Sequence, residues 1–389
     1  MTTQRTFSSI NTASIETIVE EAVNLDASDV HLEPSENDLR IRFRIDGNLH
    51  DMAVIPKVLE KAKSLINQAK VMSGMDVSIS RLPQDGRYEF RHMEKSVNLR
   101  FSSMPQLYGE KIVIRLFDLS KIIDIENLGF IDGNLKKFKH AVERKYGMIL
   151  VTGPTGSGKT TTLYGALNYL SRPNKNIITV EDPIEVHLPN INQIQVQPKI
   201  GLTFENILRS ILRQDPDIIM VGEIRDKETA EIAIHAALTG HMVLSTLHTN
   251  HAVGTIARLL DMGIPSFLVS SSLTAIVAQR LVNKVCTACR TEQTSIIPKV
   301  RSYSGKGCTM CYDTGFRGRT IVEEVLIASP RIKRQILING SSSEIFRLAK
   351  EEQMTTLKET AILKAHNAII SLEEAIGVTD EPLPQHLLE

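Results

Sequence analysis

The chain has no apolar run approaching the roughly 20 residues that cross a bilayer, which excludes a membrane-spanning helix. It opens Met-Thr-Thr-Gln-Arg-Thr, without the basic and apolar blocks of a signal peptide, and is expected to stay in the cytosol. It has no excess of either charge: Lys and Arg total 45, Asp and Glu total 45. Without a global basic field, nucleic acid is not expected as a partner. Cysteine is scarce, with four in 389 residues. No internal repeat or low-complexity tract is present. What remains is 42% apolar and 23% charged, the balance of a globular chain, and too long for one core. Two or three domains are expected.

The four cysteines all fall in one stretch, Cys286, Cys289, Cys308 and Cys311, spaced C-x2-C-x18-C-x2-C. A chain without an export signal meets a reducing compartment, where disulfides are disfavoured. Two such knuckles fit a tetrahedral Zn²⁺ thiolate site. Four thiolates leave no open position for water, so the site is expected to be structural.

Residues 148–152 form an apolar run, Met-Ile-Leu-Val-Thr, followed by Gly153, Pro154, Thr155, Gly156, Ser157, Gly158, Lys159 and Thr160, then Thr161. Strand, glycine-rich loop and Lys-Thr at a helix start make up the G-x-x-x-x-G-K-[ST] phosphate loop in its proper context. The three glycines allow a nest of inward N–H groups, and the helix adds its positive dipole end. Lys159 is placed to bring a charge to the β- and γ-phosphates, and Thr160 a hydroxyl to Mg²⁺. The spacing therefore implies binding of a nucleoside triphosphate, with ATP and Mg²⁺ as cofactors.

Around this loop the pattern divides the chain. Ile15, Ile18, Val19 and Ala22 mark a helix, and Val30–Glu33 and Leu39–Ile45 are extended. In the second strand Arg40, Arg42 and Arg44 alternate with apolar residues, and Asp46-Gly47 signals a hairpin. A helix over 57–73 stops at Gly74, with further strands near 87–91, 96–102 and 112–117. Residues 1–118 are expected to form a small α+β domain and 119–128 a linker. From 129 to 280, short strands rich in Ile and Val (148–152, 176–181, 217–223, 241–247) alternate with helices, as in a parallel α/β core. Residues 281–320 are expected as a tetracysteine zinc module, an insertion carried by the core, and 321–389 as a small helical region.

Three polar clusters lie at strand ends of the core, where α/β folds hold ligands. They are Glu181-Asp182-Pro183-Ile184-Glu185, Gly222-Glu223-Ile224-Arg225-Asp226, and the segment ending in His248-Thr249. Acidic groups beside a phosphate loop suit metal-water coordination and polarisation of an attacking water. A histidine at a third strand tip is placed to contact the γ-phosphate.

Here the chain resembles the secretion ATPases of type II secretion and type IV pilus assembly (GspE/PilB-like), from about residue 14 to about 376. The likeness rests on Ala27–Pro34, Arg42–Gly47, Pro83–Arg87, Arg100–Pro105, Gly109-Glu110-Lys111 and Arg115, together with the clusters of the core. The Glu181–Glu185 cluster resembles that family's Asp box, the Gly222-Glu223 strand its Walker B, and His241 and His248 its His box. The resemblance implies a RecA-like phosphate-loop NTPase core behind a PAS-like α+β N-terminal domain. It further implies a hexameric ring that couples ATP hydrolysis to secretion or pilus assembly, bound to inner-membrane platform proteins. Arg100 and Arg115, with Arg87 as a third, match the arginines that close the nucleotide site from the N-terminal domain. The tetracysteine segment resembles that of the assembly and export branch, which pilus-retraction ATPases generally lack. This chain is expected to begin after the extra N-terminal domain of longer members. Gly222 stands where many phosphate-loop ATPases carry an Asp, leaving Glu223 and Thr160 to manage the metal. The general base lies among Glu181, Glu185 and Glu223, with the first two favoured.

Overall fold

The computed structural model describes residues 14–56, 60–92, 95–118, 124–380 and 382–383. It divides into two compact units, residues 1–121 and 122–389.

The first unit is an antiparallel sheet of β1 (Asp29–Pro34), β2 (Asp38–Ile45), β3 (Asn48–Pro56), β4 (Gln84–His92), β5 (Lys95–Gln106) and β6 (Gly109–Asp118). Their order is β3-β2-β1-β6-β5-β4. Helices α1 (Ile15–Asn24) and α2 (Lys61–Met72) share one core with it. The alternation read in β2 is realised: Leu39, Ile41, Phe43 and Ile45 are buried, and the arginines between them lie on the other face. That arginine stripe is neutralised locally, Arg42 by Glu33 at 2.7 Å, Arg44 by Asp29 at 3.7 Å and Arg40 by Asp51 at 3.8 Å.

The second unit is built on a seven-stranded sheet flanked by helices. In chain order it contains α3 (Asp132–Val142), β7 (Gly147–Thr152), α4 (Lys159–Leu170), β8 (Ile177–Glu181), β9 (Asn192–Gln195), α5 (Phe204–Ile211) and β10 (Ile218–Val221). There follow α6 (Lys227–Leu238), β11 (Met242–Leu247), α7 (Ala252–Asp261), α8 (Ser266–Ser272) and β12 (Leu273–Val285). A small pair, β13 (Arg290–Gln293) and β14 (Ser302–Gly305), precedes β15 (Phe316–Ile327). The chain closes with α9 (Pro330–Leu337), α10 (Ser342–Glu351), α11 (Leu357–His366) and α12 (Leu372–Gly377).

The strand order is β15-β12-β7-β11-β10-β8-β9, parallel throughout except for the antiparallel β12–β15 pair. Alternate residues serve opposite faces. Ile149 and Val151 join the core under α3 and α4, while Met148 and Leu150 join the core under α5 to α11. Both faces are covered, which is why these strands read as unbroken apolar runs.

The sheet extends past the boundary expected at 280. β12 runs on to Val285 and β15 returns from Phe316, so the cysteine segment is inserted at the tip of a core hairpin. For the same reason the segment from 321 begins as strand, and helices start only at Pro330. Pairing of β12 with β7 joins residues over a hundred positions apart, which local periodicity does not encode.

Candidate active site

The phosphate loop leaves β7 and enters α4 with Gly153, Gly156 and Gly158 at φ 148°, 79° and 87°. All three values lie where a Cβ is strained. Space is also closed: a Cβ on Gly153 would stand 2.4 Å from the Gln279 carbonyl oxygen and 2.6 Å from Ser157 Oγ. Helix α4 begins without a side-chain cap at Gly158, so its first N–H groups remain available to an anion. Thr160 and Thr161 are exposed at this end, whereas Ser157 is buried. Lys159 folds back on the loop, donating to the Gly153 carbonyl at 2.9 Å and the Pro154 carbonyl at 3.0 Å. Burial pushes its ammonium below the usual lysine range; Glu223 opposes the shift and Arg280 adds to it.

Glu223 follows β10 and receives two neighbours, Arg225 through a close ion pair and His248 Nε2 at 3.5 Å. Lys159, Glu223, Arg225 and His248 are thus brought to one edge of the sheet. Gly222 has a steric cause. A Cβ there would sit 3.2 Å from the Val180 carbonyl oxygen and 3.5 Å from Glu181 Cα. A side chain at 222 would need the tip of β8 to yield by a few tenths of an ångström.

Glu181 is placed differently. It is buried, and its oxygens accept from the hydroxyl of Tyr164 on α4, from Thr179 Oγ1 at 2.6 Å and from Gln193 Nε2 at 3.0 Å. Burial, then Glu181 itself, pushes the Tyr164 phenol far above its ordinary value, so it remains a donor. Glu185 is half-buried four residues on, and its N–H donates to Tyr164 Oη at 3.3 Å. His248 reaches the site but His241 does not. His241 precedes β11 at the opposite end of that strand, with Nδ1 2.9 Å from the Ala236 carbonyl.

Sequence reading missed two residues, Gln279 and Arg280, and the contact between two it had named, Thr152 and Thr249. Gln279, on β12, donates to the Ser157 carbonyl at 2.7 Å and accepts from Thr162 at 2.8 Å. Arg280 donates to the Asn250 carbonyl at 2.9 Å and perturbs Lys159. Thr152 and Thr249 join their hydroxyls at 2.6 Å between the tips of β7 and β11. The only available signal was a polar pair, Gln-Arg, breaking an apolar strand.

In the first unit, register sets Arg44, Asp29, Arg115, Arg100 and Arg87 side by side across β2, β1, β6, β5 and β4. Directly opposed residues share a face, so four cations and one anion form a row. Arg115 donates to Asp29 at 2.9 Å, and Arg100 lies over the Phe117 ring at 4.7 Å.

The four cysteines meet at the tip of the β12–β15 hairpin, every sulfur within 4.8 Å of the others. Closest separations are 3.7, 3.8 and 3.9 Å. Zn–S bonds of about 2.3 Å in a tetrahedron require S···S edges of about 3.8 Å, so the sulfurs fit zinc. Burial opposes ionisation of Cys311, but N–H groups of Cys308 and Gly315, at 3.2 and 3.3 Å, outweigh it and lower the thiol, while burial and the bond to Cys311 raise Cys289.

Comparison with known proteins agrees with these features. The family described as type II/IV secretion system protein matches residues 4–377. A type IV pilus assembly ATPase PilB of Thermus thermophilus is 44% identical over 94% of this chain and 43% of its own length. The PilB of Myxococcus xanthus is 46% identical over 93% of this chain and 66% of its own. The type II secretion system protein E of Dickeya dadantii is 43% identical over 94% and 75%. The chain therefore spans about half to two thirds of the two PilB proteins. Among solved structures, the pilus retraction motor PilT with bound ADP aligns at TM-score 0.66 and 29% identity, over 95% of this chain and 98% of that one. The Legionella pneumophila ATPase DotB, at TM-score 0.72 and 23% identity over 93% and 94%, shares the fold. Among the described residues no helix is long and apolar enough to cross a membrane. By motif, by fold and by likeness over nearly its whole length, the chain belongs to the type II/IV secretion system protein family.

Proposed function

We propose that this chain is an ATP-hydrolysing motor that powers protein secretion or pilus assembly from the cytoplasmic side of the inner membrane. The observation that carries the reading is the uncapped helix start under a three-glycine loop, with Lys159 held by nothing stronger than two loop carbonyls and with Glu223 nearby. A triphosphate offers that ammonium better acceptors. Gly153–Thr161 form the nucleotide cradle, and the Thr160 hydroxyl and Glu223 hold Mg²⁺, the latter partly through water. Mg²⁺ supplies charge neutralisation of the phosphates when bound. Water activation falls to the Glu181–Glu185 cluster. Both Glu181 oxygens accept from neutral donors, and the Glu185 N–H donates to the Tyr164 hydroxyl that also reaches Glu181. His248 bears on Glu223 and the γ-phosphate end.

Arg100 and Arg115 are assigned by family likeness to closing a nucleotide site in a homohexameric ring, where a planar guanidinium stabilises charge on the transferring phosphoryl group. Cys286, Cys289, Cys308 and Cys311 hold Zn²⁺ as a structural knot. Their presence favours assembly or export over retraction. Platform proteins of the inner membrane are the partners, and nucleic acid is not.

The experiment is Mg²⁺-dependent phosphate release by the purified chain, with and without duplex DNA over a salt series. Hydrolysis indifferent to DNA is expected. Stimulation by DNA with a steep salt dependence would instead make it a nucleic-acid motor, and no hydrolysis at any oligomeric state would end the motor reading.

A further inference from the structure

We infer that Gln279 is the positioning residue of the phosphate cradle, fixing the Ser157–Gly158 peptide so that the Gly158 N–H faces the nucleotide; this rests on the nucleotide-binding reading above. Gln279 follows the buried apolar run Ala275–Ala278 of β12 and is itself fully buried. A primary amide taken out of water costs on the order of several kcal/mol unless its donors and acceptor find partners. Its side-chain partners are a carbonyl of the phosphate loop and a hydroxyl of the helix that follows it. Nε2 donates to the Ser157 carbonyl at 2.7 Å, and Oε1 accepts from Thr162 Oγ1, in the first turn of α4, at 2.8 Å. A carbonyl accepts only, so the Ser157 oxygen dictates which end of the amide faces it.

The consequence follows from peptide geometry. Across a trans peptide the C=O and the next N–H point in opposite directions. With the Ser157 carbonyl drawn toward β12, the Gly158 N–H is turned away from β12 and into the concavity of the loop. Gly158 is also the N-cap of α4, at φ 87° and with no side-chain cap, so this N–H is directed at the same space as the helix dipole. The fit leaves little slack. Loop and strand touch at both ends, the Gly153 Cβ position 2.4 Å from the Gln279 carbonyl oxygen and that of Gly158 3.2 Å from Nε2. Leu281 and Ile321 complete the wall beside Gly158, at 4.0 and 3.8 Å from the same Cβ position. A single side chain from a strand outside the signature thereby sets the direction of a phosphate-binding donor within it.

The test is affinity for fluorescent mant-ADP with Mg²⁺ on the full chain. Gln279→Met keeps the size of the side chain and removes both the donor to Ser157 and the amide acceptor for Thr162. With the Ser157 carbonyl left without that donor, the dissociation constant is expected to rise about tenfold. The ATP concentration for half-maximal turnover should rise with it, while turnover at saturation stays within about twofold. Gln279→Glu supplies a readout that general packing would not move. It should bind weakly at pH 8 and recover toward pH 6, because a buried carboxyl that keeps its proton can donate to the Ser157 carbonyl. Parent-like affinity in Gln279→Met, a pH-independent Gln279→Glu, or loss of folding in both variants overturns the assignment. Failure of the parent chain to bind ADP would instead sink the nucleotide reading itself.

Discussion

Lys364 and Lys159 lie in the same unit, both drawn out of water, and their surroundings differ in kind. Lys364, on α11, donates to Glu323 at 3.0 Å, to the Gly129 carbonyl at 2.5 Å and to the Ile321 carbonyl. Glu323 in turn accepts from Ile131 N at 2.8 Å and Asn134 Nδ2 at 3.3 Å. Every polar valence of that lysine is used, and it fastens the entry of the core to β15 and α11. Burial lowers Lys364 and raises Glu323, and each partner opposes the other's shift. Among the described residues Lys159 has only carbonyls of its own loop as partners, with the Glu223 carboxylate near enough to feel but not to pair. On the function proposed above, the saturated cation holds structure and the unsaturated one serves a ligand.

That contrast breaks if the two lysines respond alike to substitution. The largest effect is expected from Lys364→Met, which strands Glu323 as a buried, uncompensated charge. A loss of about 3–5 kcal/mol in a denaturant melt is expected, with part of it restored by adding Glu323→Leu, which removes the charge but takes the acceptor from Ile131 N and Asn134 Nδ2. No restoration would mean that Lys364 acts by packing.

A smaller effect sharpens the scale between the extremes. Lys350 pairs with Glu359 at 2.6 Å in a half-buried setting, and Glu359 also caps α11 by accepting from Thr356 N at 2.9 Å. Burial raises the Glu359 carboxyl, but Lys350 and the Thr356 N–H outweigh it and hold it below its ordinary 4.5. A carboxyl lowered in the folded state contributes stability above its unfolded value and loses it as pH falls through the folded one. Glu359→Gln should therefore cost about 1 kcal/mol at pH 7, and the gap from the parent should shrink below pH 4.5. A gap that persists in acid would assign the effect to side-chain packing.

The same contrast explains what was legible in the sequence. The cradle was readable because its requirements are local: three glycines, a lysine and a threonine at fixed spacing between a strand and a helix. The thiolate cluster was readable because two knuckles fix four ligands within a short segment. Arg100 and Arg115 came from family likeness, yet the row that continues through Asp29 to Arg44 needed the register of β1, β2 and β6. Gln279 was invisible because its meaning depends on β12 lying beside β7. Glu181 and Glu185 read as equals from their shared cluster. Their surroundings separate them: Thr179 and Gln193 donate to Glu181, while Tyr164 donates to the Glu181 carboxylate and accepts from the Glu185 backbone. Clusters at strand tips announce where chemistry sits, whereas the groups that aim it come from distant strands.

The central claim is that Lys159 serves a phosphate and not the fold. It is tested most directly by phosphate release from Lys159→Ala at saturating MgATP, with a thermal melt on the same sample. Turnover should fall about a hundredfold or more while the melt stays within a few degrees of the parent. Turnover close to the parent's, or a melt that collapses as expected for Lys364→Met, would contradict it.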